Sequence, residues 1–130
     1  MFKTVLLSLL PLYLFANSTH WQGDYDRALE DANENNRTLL VLVVKKDTPL
    51  CNEVIKNSFM NQPYITKINE VFLSVMVTYE GRGSYPIELY YTIVFPTLFF
   101  VNPKRETFLR EPLYGDEINA HSLKKYFNLK

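Results

Sequence analysis

The run Thr48-Pro49-Leu50-Cys51 carries the only cysteine of this 130-residue chain, and it is where the residues and their spacing offer chemistry. It follows the apolar stretch Leu39 to Val44, so a strand is expected to lead through a short loop into a helix. Thr48 suits an N-cap and Pro49 the first helical position, which puts Cys51 in the first turn. Unpaired N–H groups and the macrodipole at a helix start favour a thiolate over a thiol, and redox sites use that position. A dithiol cycle needs a second cysteine, ordinarily three positions away. That position is Thr48, so no internal disulfide can close.

Other constellations are thin. His20 and His121 are far apart and no Cys/His/Asp spacing suits a metal, so neither metal nor cofactor is expected. Asp24, Asp26, Glu30, Asp31 and Glu34 read as the wet face of a helix and not as an acid–base pair. Gly81-Arg82-Gly83 is too short for a phosphate loop and reads as a flexible turn.

The elements that must position Cys51 follow from periodicity. Trp21 to Asn35 reads as an amphipathic helix, with Tyr25, Ala28, Leu29 and Ala32 on one face. Leu39 to Val44 has no alternation, as in a central strand covered on both sides. The helix beginning after Thr48 runs towards Met60, and Asn61-Gln62-Pro63 breaks it before a short helix through Asn69. Val71 to Thr78 is the next strand, Tyr79 to Tyr85 a loop, and Pro86 to Tyr91 a short helix. Thr97 to Val101 and Thr107 to Arg110 form a hairpin around Asn102-Pro103-Lys104-Arg105. Asp116 to Asn128 reads as a last helix with Ile118, Leu123, Tyr126 and Phe127 inward. Helices alternating with strands, then a hairpin, give an α/β fold with a mixed four-stranded sheet flanked by helices.

Residues 1–16 read as a secretory signal, with Lys3, an apolar stretch from Val5 to Phe15 and a small Ala16. The stretch is short for a membrane span, which needs about 20 apolar residues. Residues 17–130 then form one domain, with no membrane span once the signal is cleaved and a periplasmic or secreted location. Fourteen basic and 14 acidic residues balance, which gives no reason to expect a nucleic acid as partner. Nothing in the sequence indicates an oligomeric state.

The order of elements, the cysteine at the loop-to-helix junction and Phe95-Pro96-Thr97-Leu98-Phe99-Phe100 together resemble the thioredoxin superfamily. Trp21, Ala28 and Ala32 resemble the exported members that carry an extra N-terminal helix. The resemblance implies that Pro96 is a cis-proline facing the active-site turn. It also implies that Phe95 presents its backbone to an extended substrate beside Pro49 and Leu50. The departures are as informative. Thr48 stands where the attacking cysteine belongs, Asp47 where a tryptophan is usual, and Leu42 where relatives keep a buried acid. Cys51 matches the second, resolving cysteine. The resemblance therefore implies a thioredoxin-like protein with a degenerate site that binds a thiol or peptide client.

Three roles stay open for Cys51. Thr-x-x-Cys is also the local motif of peroxiredoxins, which would make Thr48 and Cys51 catalytic and require an arginine such as Arg82 or Arg110. A mixed disulfide with glutathione or a protein thiol needs one exposed thiolate. A buried, inert thiol packed near Leu50, Val54 and Ile55 is the third. In that last case function falls to the surface, where Lys45-Lys46-Asp47, Phe95 and the aromatics Tyr85, Tyr90 and Tyr91 are candidate contacts.

Overall fold

The computed structural model describes residues 17–81 and 83–128. The leader expected over residues 1–16, and Arg82, lie outside the described residues. In chain order the elements are β1 (Trp21–Gln22), α1 (Tyr25–Glu34), β2 (Thr38–Val44), α2 (Pro49–Phe59), α3 (Ile65–Val71), β3 (Phe72–Thr78), β4 (Thr97–Asn102), β5 (Thr107–Phe108), β6 (Leu113–Tyr114), a 3-10 turn (Gly115–Glu117) and α4 (Ala120–Lys125).

The centre of the sheet is β2, which lies parallel to β3 and antiparallel to β4. The full order is β1-β3-β2-β4-β5, with β6 also paired to β4. Every residue from Leu39 to Val44 is buried, which explains the missing alternation. Leu40, Leu42 and Val44 face one layer with Cys51, Val54, Phe59, Ile65, Ile68 and Leu123. Leu39, Val41 and Val43 face the other, where α1 contributes Tyr25, Ala28 and Ala32. The four expected strands are all present. Two two-residue strands, β1 and β6, extend the sheet beyond that expectation.

Three expectations need correction. The helix read from Trp21 begins only at Tyr25. Gly23 and Asp24 interrupt it, and the Asp24 carboxylate caps the helix by accepting the Arg27 N–H at 3.2 Å. Trp21 and Gln22 instead pair with Ser74 and Val75. Pro86 to Tyr91 makes no helix. It forms tight turns, with the Pro86 carbonyl accepting from the Leu89 and Tyr90 N–H groups at 3.1 and 3.3 Å. The last helix is broken in two. Ile118 is extended and buried, and the Asn119 side chain accepts the Ser122 N–H at 3.0 Å, starting α4 afresh.

One buried polar cluster joins three distant parts of the chain. The Tyr25 and Tyr90 hydroxyls lie 2.7 Å apart, and the Tyr25 hydroxyl donates to the Glu106 carboxylate at 3.0 Å. Tyr90, read as an interface aromatic, is therefore core. It packs edge-on against Tyr25 and Phe99. Burial raises the pKa of both phenols, Tyr90 to about 12.

A free tyrosine titrates near 10. The folded state therefore holds the Tyr90 proton more tightly than the unfolded state does, and this contribution to stability is complete below about pH 10. It falls away as the pH rises towards 12. Urea unfolding across that range should show the loss. Tyr25→Phe should flatten part of it and reduce stability at neutral pH by about 1–2 kcal/mol, because two partners lose a hydrogen bond.

Candidate functional site

The C-terminal end of β2 delivers the chain into Lys45, Lys46 and Asp47, all exposed, and then into α2. Asp47 turns the chain at φ +60°, a left-handed conformation that aspartate tolerates better than most residues. Thr48 occupies the N-cap position and Pro49 begins the helix, as the sequence indicates. The Thr48 side chain makes no capping bond, however. The link is through its carbonyl, which accepts the Cys51 N–H at 3.0 Å. Pro49 is exposed and Leu50 half-buried.

Cys51 is 3% exposed and lies in the layer formed by Leu42, Val44 and Val54. Its place in the first turn of α2 agrees with the sequence. That burial is what the third of the three roles considered for it expects, and both thiol transfer and peroxide reduction would require access to the sulfur. Arg110, one of the two guanidinium groups a peroxide site could have used, is engaged elsewhere. Its guanidinium carbon lies 3.9 Å from the Tyr126 ring centroid and 5.9 Å from that of Phe100, along β4 from Pro96. Leu42, at the position where an acid would assist proton transfer, is fully buried among apolar groups.

Opposite the Thr48–Cys51 turn runs the segment leading into β4. The Phe95–Pro96 peptide bond is cis. The Pro96 carbonyl is taken by the Gly115 N–H at 2.8 Å. Gly115 sits at φ +56°, and a side chain there would meet Leu50 at 3.5 Å and Val94 at 3.8 Å. Leu50, Val94 and Gly115 thus adjoin beside the cis bond. Phe95 follows Val94 in the chain. Its ring packs against Tyr79 at 5.3 Å, and the Lys45 ammonium lies 5.7 Å from its centroid. No hydrogen bond joins the backbone amide or carbonyl of Phe95 to another described residue.

A second feature was not legible in the sequence. Thr92 and Thr97 are buried with their hydroxyls 2.9 Å apart. The Thr97 hydroxyl donates to the Val94 carbonyl at 2.6 Å, and the Val94 N–H donates to the Thr92 hydroxyl at 3.1 Å. This knot draws residues 92–97 into a tight arch and throws the intervening side chain outward. Ile93 is 79% exposed and Val94 40%, with Tyr91 at 68% beside them. Three large side chains therefore stand in water next to Phe95 and its unpaired backbone. Of the aromatics expected at the surface, Tyr91 is exposed, Tyr85 half-buried and Tyr90 internal.

Among the described residues no cluster of His, Cys, Asp and Glu could hold a metal, and no helix is long and apolar enough to cross a membrane. A depression of about 520 Å³ lies at the far end of the sheet, lined by Arg37, Val71, Lys104 and Phe127 among others, and includes no part of the Thr48–Cys51 turn.

No protein-family model matches this sequence, and no curated protein is significantly similar to it. Solved structures do match. A thioredoxin from Thermus thermophilus superposes with a TM-score of 0.62 at 23% identity, over 83% of this chain and 84% of that one. A structure described as DsbH oxidoreductase superposes with a TM-score of 0.65 at 17% identity, over 88% of each chain. The chain has a thioredoxin-like fold.

The burial of Cys51 sets its reactivity. Alkylation of the native protein at neutral pH should be slow, and urea should raise the rate to that of a free thiol. Rapid stoichiometric labelling of the folded protein would show that the turn opens and exposes the sulfur.

Proposed function

We propose that this protein is an exported thioredoxin-fold binding module that holds an extended peptide segment in the groove between the Thr48–Cys51 turn and the Phe95–Pro96 bond. The observation that carries the reading is the unpaired Phe95 backbone beside Ile93 and Val94. A free amide and carbonyl in extended chain invite pairing by another strand. Exposed apolar side chains next to them supply the driving force, since such clusters on a soluble protein mark interaction sites. Pro49, Leu50 and Pro96 line the same groove. Thr48 and Cys51 form its floor and edge, without a reactive dithiol. Export is supported by the apolar leader with its small Ala16. A thiol-bearing client fits the structural likeness to a thioredoxin and to an oxidoreductase.

The site is read as degenerate because the first of the two expected sulfurs is absent. The N-cap position where it belongs is occupied by a half-buried threonine, and the position of the assisting acid by Leu42. Exchange of a dithiol for a disulfide moves two electrons through two sulfurs on the enzyme. One buried sulfur cannot do that. Monothiol chemistry at Cys51, whether peroxide reduction or a mixed disulfide, is disfavoured by the same burial.

Two substitutions test the reading. Ile93→Ser removes a mostly exposed side chain, so stability should change by less than about 0.5 kcal/mol. Binding of an apolar peptide, followed by fluorescence anisotropy, should weaken roughly fivefold, corresponding to about 1 kcal/mol of lost apolar contact. Unchanged affinity would move the binding surface elsewhere. Thr48→Cys places a thiol at the N-cap, three residues before Cys51, and should give measurable insulin reduction where the parent protein gives none. An inert variant would show that the turn no longer works as a redox site, with Leu42 in place of an acid as the first suspect.

A further inference from the structure

We infer that the peptide held in this groove is apolar in its middle and oppositely charged at its two ends, with a carboxylate side chain towards Lys45 and a basic side chain towards Asp116. This rests on the groove reading above and adds the class of ligand and the charge order along it.

Lys45 places its ammonium over the Phe95 ring, 5.7 Å from the centroid, and no carboxylate pairs with it among the described residues. Its neighbours Lys46 and Asp47 lie on the same exposed loop and carry opposite charges. At the other side the groove is closed where Gly115 meets Leu50 and Val94, and Gly115 starts a turn whose next two residues are acidic. The carboxylate of Glu117 is engaged, accepting the Tyr114 N–H at 2.9 Å. The exposed Asp116 makes no side-chain hydrogen bond or ion pair with a described residue. Only its backbone carbonyl is used, by the Asn119 amide at 3.1 Å.

The groove therefore has an unpaired cation where Phe95 lies and an unpaired anion where Gly115 lies, with apolar side chains between them. An extended ligand meets these two charges in sequence. A segment with matching charges gains at both ends, and one with the charges reversed is opposed at both. Such complementarity fixes register and direction more than it raises affinity, which the apolar contacts supply. Because both groups are exposed, each pairing is worth only a small factor in binding and is screened by salt.

The test uses three end-capped synthetic peptides of one length and one apolar centre. One is uncharged, one carries glutamate first and lysine last, and one carries them in the reverse order. Binding to the protein is measured by fluorescence anisotropy at low salt and again in molar salt. One charge order should bind about 2–5-fold tighter than the other. The uncharged peptide should fall between them, and the difference should shrink in high salt. Lys45→Glu should abolish the preference, and Lys45→Glu combined with Asp116→Lys should invert it. Both residues are exposed, so the variants should fold as the parent does.

If all three peptides bind alike, or the preference survives Lys45→Glu, the charge inference is overturned while the groove reading stands. If none binds, the groove reading fails and this inference with it. Self-association in sedimentation, or binding to neutral lipid vesicles that Ile93→Ser abolishes while no peptide binds, would assign the apolar arch a different occupant and would also overturn it.

Discussion

Burial of β2 on both faces is the constraint from which the rest of the molecule follows. A strand in that position has no side-chain direction open to water, so each of its residues from Leu39 to Val44 must be apolar. It must also have a bonded neighbour on each edge, because unpaired backbone groups at that depth are costly. Those neighbours are β3 on one side and β4 on the other. Helices are then needed above and below, and α1 on one face with α2, α3 and α4 on the other supply them. The end of β2 is where the chain first reaches solvent. The exposed loop Lys45–Asp47 and the start of α2 have to be there, facing the turn that enters β4.

The same geometry explains why the Thr48–Cys51 turn and the cis peptide lie at one end of the sheet. β2 and β4 run antiparallel, with Val43 opposite Thr97. The exit of one strand is therefore beside the entry of the other. Whatever leaves β2 at residue 45 sits next to whatever arrives at residue 96. The Thr92–Thr97 knot shapes that arrival, and the bond from Gly115 to the Pro96 carbonyl supports it from behind. The site is thus assembled from four separate stretches of chain, each held by hydrogen bonds or packing that do not involve a ligand.

How much of this the sequence revealed depends on the range over which each signal acts. Proline at the first position of α2, the apolar run of β2 and the Tyr25-Ala28-Ala32 face are local signals, and the structure has each of them. The cis peptide came from resemblance and not from any local rule. What stayed hidden was set by distant partners. Trp21 and Gln22 are strand only because Ser74 and Val75 lie alongside. Tyr90 is core because the Tyr25 hydroxyl, 65 residues away in sequence, bonds to its own and is in turn bonded to Glu106. Ile93 and Val94 stand in water because two threonine hydroxyls five residues apart bond to each other and to the backbone between them, and no periodicity anticipates that. The break at Ile118 is similar, since its carbonyl accepts the Ser58 hydroxyl at 2.9 Å, tying the start of α4 to α2.

The burial of Cys51 has a consequence for the history of such a chain. A protein that loses the first sulfur of a reactive pair keeps an unpartnered one, and in an oxidising compartment an accessible orphan thiol links to other molecules at random. Beneath the first turn of α2, among Leu42, Val44 and Val54, the sulfur is kept from such encounters by packing alone. The fold can therefore carry an odd cysteine without presenting it to its neighbours.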